Sequence, residues 1–79
     1  MIRCEPWPWV RAKLDNDPDA RALLDEIRYS DETGHLNLSG RTFRGPWQAV
    51  LVRPGRDILQ VNGSDLPGIL EQVLEAVAP

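Results

Sequence analysis

The 79-residue chain contains only one cysteine, one histidine, one lysine, one methionine, one phenylalanine and one tyrosine. A single cysteine, Cys4, cannot close an internal disulfide. With a single histidine, His35, it also falls short of a four-ligand Cys/His zinc site. Long apolar runs are missing as well, and none approaches the roughly 20 residues of a membrane-spanning helix. The opening "MIRCEPWPWVRAKL" has two prolines and an acid where an export signal has an apolar stretch. The expected compartment is therefore the cytoplasm, and the Asn-x-Ser triplets at Asn37 and Asn62 are not read as glycan acceptors.

The usual signatures of catalysis are absent too. No nucleophile elbow, phosphate-cradling glycine loop or metal-binding pair on a helix occurs. His35 follows the acids Asp31 and Glu32 at a loop–strand junction, where a solvated surface histidine is the simpler reading than an acid–base pair. Arg3 and Glu5 flank Cys4 with opposite charges, so nothing in the sequence activates its thiol. Asp15, Asp17 and Asp19 have the alternate spacing of a calcium loop. Counted from Asp15, however, the sixth residue is Ala20, where such a loop needs glycine for its sharp turn. Helix capping accounts for these acids better. The chain is expected to be non-enzymatic and to use neither metal nor cofactor.

What is present is an ordinary globular composition, 42% hydrophobic and 27% charged, which excludes a disordered tail. The net charge of -3 is unevenly spread. Residues 15–32 carry seven acids and two bases, and residues 57–79 carry four acids and no base. Between them, residues 41–56 carry four arginines and no acid. This basic island, "RTFRGPWQAVLVRPGR", also holds Phe43 and Trp47.

Periodicity predicts two helices. Over 17–29, Asp17 is a cap whose carboxylate can accept first-turn N–H groups, Pro18 falls where a missing N–H is harmless, and Ala20, Leu23, Leu24 and Ile27 form one apolar stripe. Over 65–77, Leu66, Ile69, Leu70, Val73, Leu74 and Val77 form another, capped by Ser64 or Asp65. Residues 35–62 read as three short strands, "HLNLS", "PWQAVLVR" and "DILQV", the last two joined by the tight turn "RPGR". Residues 1–14 read as an extended arm or a short helix, with Val10 and Leu14 four apart and Trp7 and Trp9 available for packing. The expected fold is a single α+β domain: helix, three-stranded antiparallel meander and helix in a two-layer sandwich, with a Trp-containing N-terminal arm.

The same element order occurs in double-stranded-RNA-binding domains. Those domains grip phosphates with lysines at the start of the last helix. Here that place reads "GSDLPGILEQ", with acids and no base, so the likeness stops at element order.

The strand at 47–53 is apolar on both faces, with Trp47, Ala49 and Leu51 on one and Val50 and Val52 on the other. If the helices cover one face, the arm, a second copy or a partner must cover the other. A core this small, without disulfide or metal, also favours pairing with another subunit. The expected function is therefore a small protein-binding module, a regulator, adaptor or inhibitor, whose partner is another protein or a second copy in a homodimer. Its expected contact residues are Arg41, Phe43, Arg44, Trp47, Arg53 and Arg56 on the hairpin surface, with Trp7 and Trp9 as further interface residues. Stacking of bases on Phe43 and Trp47 would make the same hairpin a weak single-stranded nucleic-acid binder. Four cations flanked by acidic segments make that the weaker alternative.

Overall fold

The structure, a computed structural model, describes residues 1–42 and 44–77. Seven elements follow one another: β1 (Ile2–Pro6), α1 (Pro8–Asp15), α2 (Pro18–Arg28), β2 (Gly34–Gly40), β3 (Trp47–Val52), β4 (Leu59–Gly63) and α3 (Leu66–Val77). The strands form one sheet in the order β1-β2-β3-β4. β2, β3 and β4 pair antiparallel, whereas β1 lies parallel to β2, with Ile2 opposite Gly34 and Pro6 opposite Leu38.

This corrects the expected three-stranded antiparallel meander: the sheet has four strands and is mixed. The segment read as an arm or a short helix supplies both a strand and a helix. "IRCEP" alternates Ile2, Cys4 and Pro6 inward with Arg3 and Glu5 outward. Pro6 is tolerated because it ends an edge strand, where a ladder N–H is dispensable. Two residues later Pro8 stands at the first position of α1, again where no N–H is needed.

The helices form for local reasons. Ala20 N–H donates to the Asp17 carboxylate at 3.2 Å, capping α2. Asp65 does the same for α3, accepting from Gly68 N–H at 3.1 Å on its carboxylate and from Ile69 N–H at 3.1 Å on its carbonyl. Their buried stripes are Ala20, Leu24 and Ile27 on α2 and Leu66, Ile69, Leu70, Val73 and Val77 on α3. α1 adds Val10 and Leu14, four residues apart on one face.

All three stripes bury against one side of the sheet. Ile2 from β1, Leu36 and Leu38 from β2, Trp47, Ala49 and Leu51 from β3, and Val61 from β4 meet them in a single core. The register explains the selection. Leu36 faces Leu51, Leu38 faces Ala49, and Ala49 faces Val61, so inward positions align across the strands. At the end of this row Gly40 faces Trp47, and a Cβ on Gly40 would fall 2.6 Å from the indole. Glycine there lets the ring lie flat under β2, which leaves Trp47 only 2% exposed.

No helix among the described residues is long and apolar enough to cross a membrane. The described residues thus make one small α+β unit with a helical layer on one side and a bare sheet on the other.

β1 can be tested as part of the core. Ile2→Ala is expected to destabilise by about 2–5 kcal/mol, the range for truncating a buried Ile. The check is the urea midpoint with the slope unchanged. A loss within about 0.5 kcal/mol, as for a surface residue, would return the N-terminal segment to a loose arm.

Candidate functional site

The face opposite the helices is built by the alternate residues of the same strands. β1 contributes Arg3 and Glu5, β2 His35, Asn37 and Ser39, β3 Gln48, Val50 and Val52, and β4 Gln60 and Asn62. Most are uncharged and polar. Towards the β3–β4 turn the face becomes apolar: Val50 is half-buried, Val52 is 45% exposed, and Ile58, just before β4, is 65% exposed. His35 and Glu5 stand 3.5 Å apart here as an exposed pair, which contributes little to stability.

At the other end the face closes into an open groove of about 510 Å³, lined by Trp7, Ser39, Gly40, Arg41, Pro46, Trp47, Gln48 and Asn62. Trp7 is its wall and remains 45% exposed. It is nevertheless held in place. Its backbone N–H donates to Leu38 O at 3.1 Å, and its ring meets Trp9 edge to face at 5.3 Å between centroids and 86° between planes. Trp9 in turn donates its indole N–H to Gly40 O at 2.6 Å and packs on the core. One tryptophan therefore works as a bracket and the other as the surface it supports.

The arginines of the basic island are not one surface. Arg41 is exposed at the Trp7 groove. Arg44 belongs to a separate groove with Lys13, Ser64 and Asp65. Arg53 has a side chain only 10% exposed; it donates to Ala76 O at 3.3 Å and lies 3.8 Å from Glu32. That places a cation at the negative end of α3. Arg56 reaches the same Glu32 at 3.5 Å. Arg53 and Arg56 thus tie the β3–β4 turn to the loop before β2 and to the end of α3. Trp47 is core, though it also lines part of both grooves. Phe43 lies outside the described residues.

Nothing in the sequence places Ser39, Gln48 and Asn62 beside Trp7, although each strand shows which of its residues face outward. They share a face only through register, Ser39 opposite Gln48 and Gln48 opposite Asn62. The signal that was available is the outward position of each in its own alternating strand.

The chemistry-bearing residues are kept apart. Cys4 points inward beside α1 and α2, whereas His35 points outward, so the sheet itself separates them. Burial pushes the Cys4 thiol up from 9.0 to about 11. Arg28 and Arg11 pull it down and Glu5 adds to the rise, but burial outweighs them. Among the described residues, no group of three or more His, Cys, Asp or Glu is placed to hold a metal ion.

No protein-family model, curated protein or solved structure matches the chain.

The thiol gives a direct check on this geometry. At pH 8 the folded protein should react with iodoacetamide roughly 100-fold more slowly than the unfolded chain in urea, following its thiolate fraction. The folded-state value lies above the unfolded one, so the unfolded chain loses its proton first. Stability is then unaffected below pH 9 and falls as pH rises from 9 towards 11. Denaturation midpoints at pH 8 and pH 10 in wild type and Cys4→Ala test this, with the wild type expected to show the larger drop.

Proposed function

We propose that the protein is a binding module that acts by occupying another protein, and that its contact surface is the sheet face opposite the helices. The observation that carries this reading is the one-sided layering. Three helices bury the inner face, while Trp7, Val52 and Ile58 stay exposed on or beside the other. Tyr29, at the end of α2, is exposed on the helical side, but the sheet face combines exposed apolar side chains at both ends with a polar rim, which fits an interaction surface. Tryptophan and arginine are the residues that most often anchor such interfaces.

Two features support binding over chemistry. The thiol is held protonated on the inner face, and the histidine lies on a flat, solvated one. The charge distribution also favours a protein over a nucleic acid. Of the four arginines in the basic island, Arg53 and Arg56 are paired with Glu32, which leaves too few phosphate contacts for a polyanion. The contact set proposed here accordingly moves from the hairpin as a whole to Trp7, Arg41, Val50, Val52 and Ile58.

Affinity capture from extracts of the source cell, with light scattering for self-association, tests the reading. Whatever the wild type enriches, including a second copy of itself, should be lost roughly tenfold or more with Val52→Asp/Ile58→Asp and with Trp7→Ala. Glu71→Arg, exposed on α3, should retain it. Equal recovery by the sheet-face variants, or loss only with Glu71→Arg, would overturn the assignment. So would a wild-type chain that captures nothing and stays monomeric at high concentration.

A further inference from the structure

The Trp7 groove has a chemistry of its own, and resting on the binding-module reading it specifies what the partner presents there. Trp7, Ser39, Gln48 and Asn62 form a single row across the sheet, one residue from each strand or its immediate extension. At the ordinary interstrand spacing this row is roughly 14 Å long. That is the span of about four residues of extended chain. The side chains of Ser39, Gln48 and Asn62 and the indole N–H of Trp7 make no hydrogen bond within the described residues. The row therefore offers free donors and acceptors along a path as long as a short extended peptide.

The row is not uniform along its length. At one end Trp7 presents an aromatic wall that the Trp9 bracket already holds, so a ligand pays little to order it. Beside the middle of the row stands Arg41, directly after β2. Among the described residues it is the one charged side chain lining the groove, and none of their carboxylates lies within 4.0 Å of it. Pro46 supplies the facing apolar edge.

We propose that this groove binds an extended peptide segment of a partner protein, with an apolar residue seated on Trp7 and a carboxylate one or two residues away paired with Arg41. The amide and hydroxyl row meets the peptide backbone, and the guanidinium fork suits a carboxylate. A single cation matches a single carboxylate. It does not match the repeated phosphates of a nucleic acid, which require several.

A random-peptide display library panned against the immobilised full chain is the test. Enriched peptides are expected to carry proline, an aromatic or an aliphatic residue with Asp or Glu one or two positions from it. Arg41→Glu should reverse the charge selected at that position to Lys or Arg. Trp7→Ala should weaken the best synthetic peptide roughly tenfold or more, read by fluorescence anisotropy of the labelled peptide. Both side chains are exposed, and an unchanged thermal midpoint shows that the variants fold. Identical peptides enriched by wild type and Arg41→Glu, or undiminished binding to Trp7→Ala, would overturn the proposal. Displacement of the peptide at physiological salt by a short single-stranded oligonucleotide that binds more tightly would do so too. Failure here would leave the sheet-face reading standing, because Val52→Asp/Ile58→Asp acts outside the groove.

Discussion

The parallel pairing of β1 with β2 is the constraint from which the rest of the architecture follows. Two parallel neighbours cannot be joined by a hairpin, so the chain must travel back along the sheet before β2 can begin. Residues 7–33 make that return, and α1 and α2 are its content. Both must bury their apolar stripes, and they do so on the same side of the sheet. α3 then completes that layer over β3 and β4, packing beside α2. Nothing among the described residues returns across the other face, which is why it stays open. The uncovered surface is thus a product of connectivity, and the function proposed for it depends on that product.

A second dependence runs through Gly40. Its missing side chain admits the indole of Trp47 from below, and its carbonyl accepts the indole N–H of Trp9. One residue therefore fixes a core tryptophan on one side and the support of a surface tryptophan on the other. Packing and binding geometry meet at this point of the sheet, and a change in either is transmitted to the other through a single backbone position.

Locally determined features could be read from the sequence. Asp17 and Pro18 announce α2, and the apolar spacing from Leu66 to Val77 announces α3, because caps and stripes lie within a few residues of one another. β2 shows itself in the same way by its alternation, β3 by its run of apolar residues, and the β3–β4 connection by the Pro54-Gly55 turn. β1 could not be read, since "IRCEP" is five residues long, carries two charges and a proline, and finds its partner only after the crossover. Parallel pairing leaves no turn signature to mark it. The site was hidden for a related reason. Whether Trp47 faces the core is decided by Gly40 across the ladder, and whether Arg53 and Arg56 are free is decided by Glu32 in a distant loop. The pair Trp7 and Trp9 was visible as aromatic, but their division into wall and bracket needs the position of the Gly40 carbonyl.

β1 is an edge strand, hydrogen-bonded to one neighbour and ending in a residue that cannot donate. Edges with a single partner open at lower free energy than the strands they flank. Trp7 follows directly on β1 and continues its ladder through the bond to Leu38 O, so the wall of the groove and the edge of the sheet are one piece of backbone. A ligand seated on Trp7 would close the edge as well as fill the groove, and its occupancy would be recorded in the amide-exchange protection of β1 as well as in the groove itself.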